Sequence, residues 1–255
     1  MIALSVNLNK IALIRNSRSG NYPDVLAHAE KCINAGAHGI TVHPRPDLRH
    51  IRPLDVVQLH QQIGKHSSIE FNIEGNPFAA SNKNYPGFLA LVQQAPPDQC
   101  TLVPDADNQL TSDHGFDLRK TAKNLVPVIQ ELKRQKIRIS LFMDPDLEQI
   151  SMASDLGADR IELYTGPFAE HFLQNPQSAE TQMLFAQHCK AAEHAHKLGL
   201  GINAGHDLNL SNLMLYRKLP YLLEVSIGHA LTVDALDMGL TNTIRAYLIA
   251  LNDNT

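Results

Sequence analysis

The chain has 255 residues, of which 44% are hydrophobic and 19% charged, a composition typical of a globular protein. With 22 Lys plus Arg against 26 Asp plus Glu, its formal net charge is −4, so no overall basic field points to nucleic acid as a partner. No apolar run approaches the roughly 18 residues of a membrane span, no signal-peptide pattern opens the chain, and three widely spaced cysteines predict neither a disulfide framework nor a CxxC metal site, so we expect a cytoplasmic protein.

Short β-branched segments alternate along the chain with amphipathic stretches long enough to be helices. The pattern predicts strands near Leu4 to Asn7, Gly39 to Val42, Ile69 to Ile73, Thr101 to Val103, Ile137 to Phe142, Arg160 to Leu163, Gly199 to Asn203 and Leu223 to Ile227. Helices are predicted after Pro23, Pro53, Pro86, Phe116, Pro145, Ser178, Asn209 and Thr232. Eight such units predict a (β/α)8 TIM barrel with short extra helices, forming a single domain over residues 1–255.

An internal similarity favours a closed barrel over an open sheet. Ala35 to His43 resembles Leu156 to Tyr164, about half a chain further on. In both segments a glycine, Gly36 or Gly157, ends a helix just before a strand, as the junctions of a (β/α) barrel require. A doubly wound sheet remains the alternative. The longest irregular stretch is predicted from Gly166 to Ser178, either as a lid or as a decorated loop.

Polar residues gather where the predicted strands end. In a barrel, catalytic groups come from the C-terminal ends of several strands. The first strand ends in Asn7, the second in His43, and the sixth carries Glu162. Glu70 lies within the third strand, where an ionisable group has little reason to be unless it is paired or used.

The segment from Gly39 to His50 is the most informative of these strand ends. Pro44 and Pro46 stop the β-branched run, and they leave His43, Arg45 and His50 at the predicted rim.

Histidines need sorting, because the chain has 13 of them. Five lie in predicted helices and are interpreted as solvated faces or caps: His28, His60, His188, His194 and His196. Gly-His pairs end the last two strands as Gly205-His206 and Gly228-His229. Barrels often bind phosphate in that pair of loops, where glycine lets backbone amides approach an anion closely.

With these residues assembled, the chain resembles the pyridoxine 5'-phosphate synthase family over about Leu4 to Tyr247. The resemblance rests on these segments: Val6-Asn7, Arg15 to Arg18, Gly39 to Ile51, Leu102 to Pro104, Thr111 to Gly115, Gly157-Ala158, Glu162 to Gly166, Asn203 to His206 and Ile227 to His229. It implies a homo-oligomer, expected to be an octamer. It also implies condensation of 3-amino-2-oxopropyl phosphate with 1-deoxy-D-xylulose 5-phosphate to pyridoxine 5'-phosphate, phosphate and water, with no metal and no organic cofactor.

The resemblance also implies roles for individual residues. His43 and Glu70 would be general bases, His206 the general acid, and Glu162 a stabiliser of transition states. The aminoketone phosphate would be held by Asn7, Arg18, Gly228 and His229, and the deoxyxylulose phosphate by Arg45, His50 and Thr111. These residue types suit proton transfer and phosphate binding, because imidazoles exchange protons near neutral pH and arginine binds phosphate bidentately.

Two departures from the family pattern affect expected substrate contacts. After the first strand the family has Asn-x-Asp-His, whereas this chain has Asn7-Leu8-Asn9-Lys10. Asn9 and Lys10 are therefore expected to contact substrate without a proton-transfer role. Asp207 stands where the family usually has Gly, and a carboxylate beside a phosphate is unfavourable unless it points away or is paired.

Two other functions remain as alternatives. His43, Glu70, Glu162, His206 and His229 could in principle ligate a metal in a barrel hydrolase or isomerase, although no HxH or HExxH spacing supports this. The second alternative is a phosphate-binding paralogue whose catalysis has decayed.

Overall fold

Eight parallel strands form a closed barrel in the computed structural model, which describes residues 1–106 and 109–252. Each strand pairs with the next along the chain, and the first pairs with the last. The strands are β1 Ala3–Asn7, β2 Gly39–Val42, β3 Glu70–Gly75, β4 Gln99–Leu102, β5 Arg138–Met143, β6 Arg160–Tyr164, β7 Gly201–Gly205 and β8 Leu222–Ile227. The predicted barrel is confirmed.

Helices follow the strands around the outside of the barrel. Those in the described residues are α1 Asn9–Asn16, α2 Val25–Asn34, α3 Pro53–Ile63, α4 Phe88–Gln94, α5 Leu118–Arg134, α6 Leu147–Asp155, α7 Gly166–Gln174, α8 Ala179–Lys197, α9 Leu210–Tyr216, α10 His229–Met238 and α11 Leu240–Asn252. The stretch from Gly166 to Ser178 was expected to be irregular, and that expectation is wrong because α7 occupies most of it. Pro167 lies in the first turn of α7, and the buried Phe168 packs beside Tyr216.

The two predicted glycine junctions are present. Gly36 follows α2 with a φ of +105°, and Gly157 follows α6 with a φ of +85°. Both residues therefore adopt the left-handed conformation that ends a helix and turns the chain into the next strand.

Strand alternation separates an apolar outer face from a polar barrel interior. Leu4 and Val6 of β1 belong to the hydrophobic core between strands and helices, whereas Ser5 faces inward and bonds Thr41 at 2.7 Å. Hydrogen bonds cross the interior between strands that are not neighbours, such as Asn203 Nδ2 to Gln99 Oε1 at 3.3 Å. The interior therefore carries a network of partnered polar groups.

The interpretation of His188 as a solvated helix residue is wrong. The residue is 1% exposed, and its Nδ1 lies 2.7 Å from the Tyr216 hydroxyl.

In the described part of the chain, no helix is both long enough and apolar enough to cross a membrane.

Candidate active site

The C-terminal end of the barrel collects buried ionisable side chains from several strands. His43 follows β2, Glu74 is the penultimate residue of β3, and Glu162 lies within β6. All three are less than one tenth exposed. Because each comes from the inward face of its strand, the fold brings them together at one mouth.

Glu74 lies at the centre of this group. Its carboxylate accepts hydrogen bonds from Asn7 Nδ2 at 3.3 Å and from Ser226 Oγ at 3.4 Å, and Oε2 lies 3.8 Å from His43 Nδ1. Burial, reinforced by the nearby Asp105 carboxylate, raises the pKa of Glu74 to about 8. Glu74 therefore favours its protonated form near neutral pH and can exchange a proton with a neighbour.

The backbone of His43 is held by the junction between β1 and α1. Its backbone N–H donates to Asn9 Oδ1 at 2.9 Å, and the Asn9 N–H donates to Asn7 Oδ1 at the same distance. Burial first, and then the positive charges of Arg45 and its neighbours, lower the pKa of His43 well below its ordinary value. The imidazole is therefore neutral at physiological pH and able to accept a proton.

Glu70, which the resemblance implies is a general base, does not reach this site. It is the first residue of β3, at the opposite end of the barrel. There Arg138 Nη1 donates to Glu70 Oε1 at 3.1 Å, and this side-chain hydrogen bonding lowers the pKa of Glu70. The strand begins one residue later than predicted and continues to Gly75, which places Glu74 rather than Glu70 at the C-terminal mouth.

The segment after β2 brings two residues that are predicted to bind substrate, Arg45 and His50, to the mouth of the barrel. Arg45 is 5% exposed; its Nη1 donates to the Gln109 carbonyl at 3.0 Å, and its Nη2 contacts Asp105. Burial and the nearby Arg45 lower the pKa of His50 to about 3, and its Nδ1 accepts from the Ile51 N–H at 2.9 Å. The segment thus presents one buried cation beside one neutral imidazole.

Arg15 supports this segment from behind. It forms an ion pair with Asp55 near the start of α3, and its Nη2 donates to the His50 carbonyl at 3.0 Å. Because Arg15 is only 1% exposed, we interpret its role as structural.

His206 and Asp207 form a pair at the end of β7. His206 Nδ1 lies 2.7 Å from Asp207 Oδ2, and Nε2 lies 2.8 Å from Thr111 Oγ1. The hydrogen bond to His206 lowers the pKa of Asp207. The Asp207 carboxylate is therefore paired with His206. A paired carboxylate can lie beside a phosphate site, as the sequence analysis requires of Asp207. Because a carboxylate accepts, Nδ1 carries the proton and Nε2 is the nitrogen presented to the mouth.

Glu162 is enclosed by the barrel interior. Thr101 Oγ1 donates to its Oε2 at 3.5 Å, and burial, with help from the Glu74 charge, raises its pKa well above the ordinary range. A Cβ at Gly205 would lie 2.1 Å from Glu162 Oε1. The Gly-His pair of β7 is thus needed for close packing against a buried carboxylate as well as for turning the chain.

The remaining predicted residues surround the mouth. Gly228 precedes α10 and packs so closely that a Cβ would lie 3.0 Å from Asn7 Cβ, and His229 is the first, exposed residue of that helix. Lys10 is half-buried in α1, and Arg18 is exposed in the turn that follows α1. Among the described residues, no group of three or more His, Cys, Asp and Glu is arranged to hold a metal ion.

The comparisons with known proteins assign the chain to a family. Residues 4–253 match the family model described as pyridoxal phosphate biosynthesis protein PdxJ. The chain is 55% identical over 246 residues to pyridoxine 5'-phosphate synthase from Xanthomonas campestris pv. campestris strain B100, covering 96% of this chain and 94% of the relative. The chain belongs to the pyridoxine 5'-phosphate synthase family.

Solved structures outside this synthase family share the fold alone. The 3-hexulose-6-phosphate synthase from Salmonella typhimurium has a TM-score of 0.62 at 16% identity, with all of both chains covered. The phosphoribosylanthranilate isomerase from Thermotoga maritima has a TM-score of 0.55 at 9% identity, with 98% of each chain covered.

Sequence reasoning missed two buried carboxylates of the synthase site, Glu74 and Asp105. For Glu74 a signal was available: it lies on the same strand face as Glu70, directly before the turn-forming Gly75-Asn76-Pro77. For Asp105 the signal was weaker, since an Asp after Pro104 is typical of an ordinary turn.

Proposed function

We propose that this member of the synthase family condenses 3-amino-2-oxopropyl phosphate with 1-deoxy-D-xylulose 5-phosphate, giving pyridoxine 5'-phosphate, phosphate and water by acid–base catalysis. Membership of the family makes the chain an enzyme of vitamin B6 biosynthesis that forms pyridoxine 5'-phosphate. The identity of the two substrates and the roles of individual residues are the proposed part.

The observation that carries the proposal is the close set of buried proton-exchanging groups at the barrel mouth. Imine formation, enolisation and ring closure are successive proton transfers, each accelerated about 10²- to 10⁴-fold by a positioned acid or base. A neutral His43 lies 3.8 Å from a Glu74 whose pKa is about 8. A base and an acid with opposed pKa displacements, side by side, suit a site that takes and returns protons repeatedly.

In the proposed mechanism His43 accepts a proton, Glu74 donates one and takes it back, and His206 donates a proton that its Nε2 has first accepted. Asp207 orients His206 through Nδ1, which leaves Nε2 facing substrate. Glu162 stabilises transition states by donating a hydrogen bond, because burial raises the pKa of its carboxyl group well above the ordinary range and favours the protonated form.

The phosphate groups of the two substrates require separate anchors. We assign Arg45, His50 and Thr111 to the deoxyxylulose phosphate, since Arg45 and His50 lie on one buried segment. The aminoketone phosphate is assigned to Asn7, Arg18, Gly228 and His229, where the N-terminus of α10 offers backbone amides to an anion. Asn9, Lys10 and Asp207 line the same mouth, with Asn9 and Asp207 acting through His43 and His206.

The test is direct turnover. Purified protein is incubated with both phosphates, and formation of pyridoxine 5'-phosphate is followed by absorbance while released phosphate is assayed in parallel. We expect equal amounts of the two products. Tight binding of either phosphate without turnover would instead favour the decayed paralogue.

The proposal includes self-association, as an octamer, and a cytoplasmic location. Exposed apolar side chains on two contacting helices support the first: Leu13 and Ile14 on α1, and Val233 and Leu236 on α10. Light scattering behind a sizing column tests it. A monomer at micromolar concentration would overturn the assembly without affecting the chemistry.

A further inference from the structure

Asp105 lies at the catalytic mouth. It follows β4, and its backbone carbonyl accepts from Asn76 Nδ2 at 2.8 Å, which ties it to the segment after β3. Its side chain points inward and the residue is 4% exposed. The position of Asp105 is therefore fixed by two segments, the one after β4 that contains it and the one after β3 that donates to it.

The two carboxylate oxygens of Asp105 have different surroundings. Oδ2 contacts the Arg45 guanidinium, accepts from Ser112 Oγ at 2.9 Å, and lies 3.7 Å from His43 Nε2. Oδ1 is buried and has no hydrogen-bond partner among the residues that the structure describes. A buried carboxylate oxygen without a donor is costly, and such an atom in a native structure points to a missing partner.

The space beside Asp105 is a small cavity at the mouth. It is lined by the segment from His43 to Pro46 and by Asn76, Ala79, Asp105 and Ala106. A donor that entered this cavity would meet Asp105 on one side and the proposed base His43 on the other.

The chemistry of the two substrates indicates which donor fits. The deoxyxylulose phosphate carries hydroxyl groups on carbons 3 and 4, whereas the aminoketone phosphate carries no hydroxyl outside its phosphate. Asp105 is paired with Arg45, the proposed anchor of the deoxyxylulose phosphate. A donor attached to that substrate therefore arrives on the Arg45 side of the mouth.

We infer that Asp105 is a substrate-contacting residue that recognises the polyol part of the deoxyxylulose phosphate: Oδ1 accepts a hydrogen bond from its 3- or 4-hydroxyl while Oδ2 holds Arg45 for the phosphate. The identity of this substrate rests on the proposed function. Asp105 thereby sets the distance between the phosphate anchor and the carbon atoms that His43 faces.

The first measurement uses the wild-type protein. Calorimetric titration compares 1-deoxy-D-xylulose 5-phosphate with its 3-deoxy and 4-deoxy analogues. We expect one analogue to bind about ten- to a hundredfold more weakly, the range for a hydrogen bond to a charged group. Equal affinity for all three compounds would overturn the inference without any variant being made.

The second measurement repeats the titrations with D105N, which preserves the size of the side chain. We expect the discrimination between parent compound and analogue to fall to about twofold or less, because the charged acceptor is gone. A carboxylate that merely holds Arg45 would weaken all three compounds equally and leave their ratio unchanged, and that result would contradict the inference. The matched control is D47N, which removes a carboxylate from the Asp47–Arg49 ion pair on the same segment and should retain wild-type discrimination.

Steady-state kinetics separates this inference from the proposed function. D105N should raise KM for the deoxyxylulose phosphate about ten- to a hundredfold and change KM for the aminoketone less than about threefold. A rise confined to the aminoketone would assign Asp105 to the amine instead and overturn the inference. The wild type could turn over both substrates while D105N keeps the wild-type ratio of affinities for the parent compound and its analogues. In that case the proposed function would stand, and only the role of Asp105 would be overturned.

Discussion

At the residue scale, Glu70 and Glu74 show how position decides the role of a carboxylate. Both lie on the inward face of β3, four residues apart, and each follows an isoleucine in the sequence. Glu70 pairs with Arg138 at the N-terminal end of the barrel, whereas Glu74 is buried against His43. One side chain is neutralised by a cation and the other by a proton.

Substituting these two carboxylates separately tests the assignment. E74Q should lower kcat at least about a hundredfold, since the amide can neither donate nor accept the proton that Glu74 exchanges. E70Q is the matched control on the same strand and should keep kcat within about threefold while changing the free energy of unfolding by less than about 1 kcal/mol. Steady-state kinetics and urea unfolding provide the two readouts. Full activity in E74Q would remove Glu74 from the mechanism.

The pairing of His206 with Asp207 gives a second prediction. In D207N the amide can present its NH2 group to Nδ1, which allows the wrong tautomer. We expect kcat to fall roughly tenfold, the value of one hydrogen bond to a charged group, with little change in either KM. If instead one KM rises while kcat is unchanged, Asp207 acts on substrate rather than on His206.

At the scale of elements, the strand ends matter because their inward residues pack against one another. The end of β7 is one tight example, since Gly205 leaves no room for a side chain beside Glu162. The glycine therefore fixes where the carboxylate of a neighbouring strand can lie.

Gly205→Ala should displace the Glu162 carboxylate. The added methyl group would force repacking that costs about 1–3 kcal/mol of stability and lowers kcat, because the buried Glu162 carboxyl group is moved from its position. Gly64→Ala at the end of α3 is the control, since Gly64 has a φ of −58° and needs no special conformation. Chemical denaturation and kinetics are measured together. Unchanged kcat in a folded Gly205→Ala variant would show that the exact position of Glu162 is unimportant.

At the scale of the whole molecule, the barrel has an apolar shell and a polar interior. Burial between strands and helices stabilises the fold, by roughly 1.5–3 kcal/mol for each large side chain. The interior groups must then be held in particular protonation states. Burial raises the pKa of Glu162 and Glu224 and lowers that of His43 and His50.

The pH dependence of stability follows from such groups, and His188 isolates one of them. Burial lowers the pKa of His188 from 6.5 to about 4. Between these values the unfolded chain binds a proton at His188 and the folded chain does not, so stability falls as pH drops from about 6.5 to about 4. His188 accounts for on the order of 3 kcal/mol of this loss, because each pKa unit is worth about 1.4 kcal/mol.

H188Q, which can still accept from the Tyr216 hydroxyl, should show a shallower decline in this window. Unfolding free energies of wild type and variant at pH 4.5, 5.5, 6.5 and 7.5, in one buffer system, provide the measurement. Parallel profiles would mean that His188 is protonated in the folded chain.

The sequence by itself determined the eight-stranded barrel, the glycine junctions at Gly36 and Gly157, and the placing of His43 and His206 beyond strand ends. Those features depend on local periodicity and turn chemistry, which neighbouring residues carry. Only the tertiary structure decided that Glu74 belongs to the site and Glu70 does not, that Asp207 pairs with His206, and that Asp105 joins Arg45 to His43. These depend on strand register and on contacts between residues far apart in the chain, where a shift of a few residues exchanges one end of the barrel for the other.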